Sequence, residues 1–324
     1  MHNCIYPIMT YYRGVLIFME KLAPAKDRLL KSEKNWMNGE VRGKIIIYLC
    51  AVIMISATIA ITIFLGTRGL QSFIKNGVSL IEFLTSKQWN PSDPAKPLYG
   101  ALPFIFGSFA VTFLSALIAA PLGIGGAIFM TEIAPSWGRK ILQPVIELLV
   151  GIPSVVYGFI GLTVLVPFIR MHFGGLGFSL LAGMIVLSIM ILPTITTIAT
   201  DAMSSLPNNL REGSYALGAT RWQTIRKVLV PAALPSLLTA IVLGMARAFG
   251  EALAVQMVIG NVKGMPHGLL DASATLTTII TLNMGNTTFG SPENNILWSM
   301  GLLLLIMSFA FILLIRYLSA RRKV

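Results

Sequence analysis

Six long apolar runs constrain this chain more than any motif within it. They lie at residues 45–67, 101–130, 141–169, 176–200, 232–259 and 296–318, and each is long enough to carry a helix across about 30 Å of hydrocarbon. A helix satisfies its own backbone hydrogen bonds, which lipid cannot do. The predicted fold is therefore an all-α integral membrane protein with six transmembrane helices. With 55% hydrophobic and only 12% charged residues, the chain has no material for a soluble domain beyond its arm and loops. It divides into a basic arm (1–44), a membrane domain (45–320) that includes a polar loop at 201–231, and a basic tail (321–324). The second and third runs exceed the length of a span and contain Pro121 and Pro153, which predicts kinks, tilt or broken helices there. Gly123, Gly125, Gly126, Gly151 and Pro193 are expected to permit close helix packing.

Orientation follows from Lys and Arg, which are retained on the cytoplasmic side. Placing both termini inside puts Arg139, Lys140, Arg211, Arg221, Arg226 and Lys227 in the cytoplasm with the arm and tail, and leaves only Arg68, Lys75, Lys87, Lys96, Arg170 and Lys263 outside. The net charge of +12 is then mostly a record of topology. It is not a nucleic-acid footprint, because no aromatic-studded basic module accompanies it. The first 44 residues lack the continuous apolar core and small-residue cleavage site of a signal peptide. Cys4 and Cys50 suit no disulfide.

Enzymatic readings fail on inventory. A phosphate-cradling loop needs Gly, four residues and Gly-Lys-Ser/Thr, but Gly43-Lys44 is followed by Ile45 and preceded by Asn38 at the first glycine position. Zinc-protease, Cys-x-x-Cys and Gly-x-Ser-x-Gly patterns are missing, and His2, His172 and His267 are far apart in sequence. If ATP drives this protein, another chain binds it. No metal site and no cofactor are expected on this one.

The loop between the fourth and fifth runs carries the organising motif: Glu212-Gly213-Ser214, then Gly218, then Val228-Leu229-Val230-Pro231. Glu212 near a helix start would favour the positive end of the helix dipole. Gly218 permits a turn between two short helices, and Pro231 is suited to opening the next membrane helix. The bland alternative is a solvated amphipathic loop with Gly218 as a cap. The spacing resembles the coupling loop of bacterial ATP-binding-cassette (ABC) importer permeases, Glu-Ala-Ala, three residues, Gly, nine residues, Ile, one residue, Leu-Pro. Glu212, Gly218 and Pro231 match. Gly213 and Ser214 replace the alanines, and Val228 and Val230 replace Ile and Leu.

Further strings narrow the resemblance. Glu147, Gly151-Ile152-Pro153-Ser154, Tyr157-Gly158 and the segment from Ala246-Arg247-Ala248-Phe249-Gly250-Glu251 to Val258-Ile259-Gly260-Asn261 look like phosphate importer permeases, closer to the PstC-type than to the PstA-type subunit. The resemblance covers residues 45–320. It implies the type I ABC importer permease fold and a PstA-type permease beside this one in the bacterial plasma membrane. It also implies a PstB-type ATPase dimer holding ATP and Mg, a PstS-type phosphate-binding protein outside, and inorganic phosphate as cargo. Glu212, Gly218, Val228 and Pro231 would then couple to the ATPase.

Arg247 stands inside an apolar run, where a charge costs about 2.5–3.5 kcal/mol on insertion scales, so it should face protein or a wet path. Glu251 follows at i+4, on the same face of a continuous helix. Either Arg247 meets the oxyanion with its planar fork while Glu251 holds it in place, or the two form a buried ion pair that locks the helix. Glu147 within the third run is expected to be a second buried acid that either pairs across the subunit interface or lines the path. Runner-up functions are a permease for another oxyanion such as molybdate, sulfate or phosphonate, and an ion-coupled secondary transporter.

Overall fold

The structure, a computed structural model, describes residues 41–91, 93 and 97–320. Most of the basic arm and the tail lie outside the described residues. Two compact units divide the chain, Met1–Phe64 and Leu65–Val324. The described part of the first is one helix whose apolar side chains are exposed, Ile47 and Tyr48 among them, as suits a surface solvated by lipid.

Among the described residues six helices are long and apolar enough to cross a membrane: Val41–Ile74, Leu102–Ile133, Ser154–Phe173, Leu180–Ser204, Arg221–Phe249 and Pro292–Leu313. The count matches the sequence expectation, but two boundaries move substantially. The third run splits at Ile152–Pro153. Residues Ser136–Gly151 form a separate helix with an extended residue after it, and Pro153 caps the span that restarts at Ser154. Proline disfavours helical geometry in the residue before it, and Ile152 is extended at ψ 127°. Gly151 has no neighbour within 4 Å of where a Cβ would stand. It marks a break, so the packing expectation fails there.

The fifth run also breaks. Its helix ends at Phe249, and residues 250–252 lead into a short helix, Leu253–Gln256. Gly158 on the third span admits this segment closely, since a Cβ there would lie 2.9 Å from Ala254 Cα.

Spans two, four and five pack around Ile195, which is fully buried. A Cβ on Gly123 would fall 2.9 Å from Ile195 Cγ2, and one on Gly244 would fall 2.6 Å from its Cγ1. Small residues thus permit the close approach that drives helix association in lipid. Gly126 faces Thr196, but Gly125 meets nothing. Spans two and four are also cross-bonded: Ser115 Oγ donates to Met184 O at 3.0 Å, and Ser188 Oγ donates to Ser115 O at 3.2 Å. Such bonds average about 0.6 kcal/mol in double-mutant cycles and rarely exceed ~1.7. Ser115→Ala and Ser188→Ala, singly and together, should therefore shift stability in detergent by only that order and leave transport near normal. A coupling of several kcal/mol in a thermal-unfolding cycle would contradict this.

A π-helical turn precedes proline at three places. Phe129–Ile133, Gly161–Leu165 and Ile225–Leu229 end two residues before Pro135, Pro167 and Pro231, and in each the intervening residue donates its N–H five residues back. Proline lacks an N–H and its ring crowds the carbonyl four residues earlier; a widened turn relieves both. Pro231 sits in the first turn of the α-helix Val230–Phe249, as expected, and the continuous helical span runs back from it through the π turn to Arg221.

The other end of the second unit is closed by a smaller core in which Phe83, Trp89, Phe104, Leu276 and Ile296 are buried together. Strands Trp89–Asn90 and Leu98–Tyr99 pair antiparallel there, and Trp89 meets Phe104 edge-on at 5.4 Å. The loop before helix Leu276–Met284 returns to the fourth span, where Asp271 O and Leu269 O accept from the N–H groups of Leu180 and Leu181. These carbonyls satisfy donors that the first helical turn leaves free.

Candidate functional site

The loop between spans four and five folds as a helix, a turn and a helix. Residues Asn208–Ala216 form the first helix after Pro207, and Thr220 caps the second, Arg221–Thr224, in a capping box with Gln223. The first helix ends in a Schellman motif: Ala219 N–H reaches Ser214 O at 3.2 Å and Gly218 N–H reaches Tyr215 O at 2.9 Å. Gly218 adopts φ +78°, the left-handed conformation that favours glycine.

Ser214, which departs from the alanine of the consensus, is buried and shares a 2.9 Å hydroxyl bond with Thr224. It joins the two short helices. Glu212 is exposed in the middle of its helix, away from the first turn, so the dipole argument for it does not hold. Val228 lies in the π turn. Apolar side chains crown the knob, with Leu217 at 90% and Trp222 at 61% exposure.

The knob's base contains an ion pair that the sequence did not disclose. Arg211 Nη2 lies 2.7 Å from Glu132 Oε1, and Nε donates to the same oxygen at 3.2 Å. Glu132 is 7% exposed and belongs to the π turn that ends the second span. Arg211 also donates to Met203 O and Leu206 O at the end of the fourth span, at 3.2 and 3.1 Å. Cations are favoured beside such free C-terminal carbonyls. The hydrogen bond to Glu132 raises the Arg211 guanidinium above its usual value against the opposing effect of burial. A second arginine, Arg139, closes the second span by donating to Met130 O and Thr131 O, both at 3.0 Å.

The structure does not join Arg247 to Glu251. The helix ends between them, and Glu251 turns forward so that Oε1 accepts Ala254 N–H at 3.1 Å, while its backbone carbonyl accepts Thr277 Oγ1 at 2.8 Å. An i+4 pair needs a continuous helix, which Gly250 interrupts. Arg247 instead donates from Nη1 to Thr194 Oγ1 on the fourth span at 2.8 Å. Among the described residues no protein group accepts from its Nε or Nη2, and no carboxylate pairs with it. Among the described residues the half-buried Arg247 guanidinium is held by one hydrogen bond, to a neutral hydroxyl.

Glu147 is exposed and accepts Gln143 Nε2 at 3.0 Å. It lies on the helix before the third span, so it is not buried, and it forms no ion pair among the described residues. With Arg139, Thr197, Thr200, Asp201 and Ser204 it lines a cavity of about 350 Å³. Thr194, Thr197, Asp201 and Ser204 follow one another at helical three- and four-residue spacing, which places the Arg247 contact and the cavity on one polar face of the fourth span.

The comparisons with known proteins agree with this architecture. A probable ABC transporter permease protein of Bacillus subtilis, YqgH, is 75% identical over 299 residues, covering 92% of this chain and 96% of that one. The phosphate transport system permease protein PstC of Mesorhizobium japonicum is 34% identical over 291 residues, covering 83% and 86%. Among solved structures, a chain of the inward-facing MetNI methionine ABC transporter superposes with a TM-score of 0.55 at 22% identity, covering 68% of this chain and 94% of that one; this speaks for the fold alone. The family model for binding-protein-dependent transport system inner membrane components matches residues 123–324, a stretch that holds spans three to six, the knob and Arg247, and the chain belongs to that family of ABC importer permeases.

Proposed function

We propose that this permease carries inorganic phosphate inward, as a PstC-type subunit that shares its path with a PstA-type permease. A PstS-type binding protein delivers phosphate outside, and a PstB-type ATPase dimer, which holds ATP and Mg, seats on the knob through Leu217, Trp222 and the Glu212 face. The observation that carries the cargo assignment is Arg247: a guanidinium in a membrane helix that has, among the described residues, no carboxylate partner and unused donors. An anion passing through the membrane supplies the missing counter-charge, and the planar fork suits its paired oxygens. The polar face from Thr194 to Ser204 continues from that point. The PstC relatives support phosphate in particular.

A guanidinium fork alone also suits sulfate or molybdate, so the test is competitive. Labelled phosphate uptake is measured in cells lacking the chain and in complemented cells, with excess sulfate or molybdate. Uptake should depend on the chain, on ATP and on the external binding protein, and only unlabelled phosphate should compete. Competition by molybdate or sulfate would move the assignment to that oxyanion.

A further inference from the structure

We propose that the Glu132–Arg211 pair is a positioning joint that makes the knob, the second span and the fourth span move as one body when the ATPase drives the knob. The inference rests on the importer reading above. Only three residues, Ser205, Leu206 and Pro207, connect the fourth span to the knob's first helix, so the backbone alone provides a hinge. Arg211 bridges that hinge. Its guanidinium holds the Met203 and Leu206 carbonyls on the near side and the Asn208 side chain, at 3.4 Å from Nη1, on the far side. The same group binds Glu132 at the end of the second span. One planar cation therefore fixes three elements, with several donors used at once, which a flexible ammonium cannot reproduce.

The remaining connections set what the joint adds. The knob's second helix runs without interruption into the fifth span, so the fifth span moves with the knob whether or not the joint is intact. Spans two and four are already bonded to each other through Ser115 and Ser188 and packed closely at Gly123 and Ile195. Push the knob without the joint, and the fifth span follows through continuous backbone, whereas spans two and four are linked to it only by packing at Ile195 and by the Arg247–Thr194 bond. With the joint, the pair of spans beside it, including the Thr194 contact of Arg247, is obliged to follow too. Burial strengthens the case, because truncating one partner leaves a charge without its partner in a desolvated place.

The test uses the complete complex, permeases and ATPase, in proteoliposomes with binding protein and inorganic phosphate. Glu132→Gln should assemble and retain basal ATP hydrolysis, yet move about tenfold less phosphate per ATP, since one partner of a buried pair is lost. Arg211→Lys should fall short of wild type in the same ratio. A second measurement starts from the unaltered pair. With Cys4 and Cys50 replaced by serine, spin labels at Ile133→Cys and Asn209→Cys report the distance across the joint. That distance should be the same without nucleotide and with ATP trapped, and should broaden in Glu132→Gln. A wild-type distance that changes on trapping ATP, or a Glu132→Gln complex with unchanged phosphate per ATP, would overturn the joint. Failure of the wild-type complex to couple ATP to uptake of any oxyanion would instead remove the importer reading on which it rests.

Discussion

Arg247→Gln should reduce ATP-driven phosphate uptake by two orders of magnitude or more while the chain remains inserted and assembled. Each hydrogen bond between a charged donor and an anion contributes about 1.5–3 kcal/mol, so two parallel bonds from one fork account for roughly 10²- to 10⁴-fold. Glutamine ends two bonds short of the guanidinium nitrogens and brings no charge, so it gives up the Thr194 Oγ1 bond together with the fork. Insertion should improve, because the charge that costs about 2.5–3.5 kcal/mol in a span is gone. Arg247→Lys keeps the charge without the fork and should fall between. The competing role is packing, and Thr194→Val separates the two. If Arg247 only secures the fifth span to the fourth, loss of the 2.8 Å bond should impair assembly equally from either side. Uptake of labelled phosphate and recovery of the ATPase with the tagged chain are read on the same membranes. Normal uptake by Arg247→Gln, or loss of the complex in both variants, would defeat the path role.

Hydropathy located all six spans because lipid imposes one requirement on every residue of a span. It misjudged ends where two elements of different kinds were both apolar. The run at 141–169 joined an amphipathic helix to a true span: Ile141, Val145 and Leu148 expose one apolar face of that helix, while Arg139, Gln143 and Glu147 occupy another. The period of those polar positions carried the information that an average over a window discards. Pro153 gave the place of the break, and Pro121 did not produce one. The fifth run hid its break for another reason. Ala246 to Ala254 is consistent with a helix, and the turn at Gly250 is fixed by what surrounds it, including Gly158 opposite Ala254. Arg247 was found from sequence by its charge, whereas its partner was misassigned because the helix was assumed to continue.

The knob was legible in outline, as two short helices turning at Gly218, because its folding is local. The Schellman turn, the capping box of Thr220 and Gln223, and the three-residue link after the fourth span all involve neighbours in sequence. Glu132 was not legible. It lies 79 residues from Arg211, at the margin of an apolar run, where an acid suggests a span's end and nothing more. Only the fold brings a second arginine-rich segment to it.

Locality also fixes what should follow from altering Gly218. Gly218→Val is expected to lower capture of the ATPase and phosphate uptake by about 5- to 30-fold, the ratio that corresponds to one or two kcal/mol. No atom lies within 4 Å of a Cβ at this position, so crowding is not the cause. The cost is conformational: φ is +78°, and an L-residue pays about 1–2 kcal/mol in that region, with β-branched side chains the least suited. Relaxing the strain would open the Schellman turn and redirect Leu217 and Trp222, the exposed apolar side chains of the knob. Asparagine tolerates left-handed geometry, so Gly218→Asn should stay within a few-fold of wild type although its side chain is as large as many that fail. The decisive comparison is therefore between two substitutions of similar bulk and opposite backbone preference. Equal damage from valine and asparagine would assign Gly218 to clearance against the ATPase surface, and undiminished capture by Gly218→Val would remove this turn from the docking surface altogether.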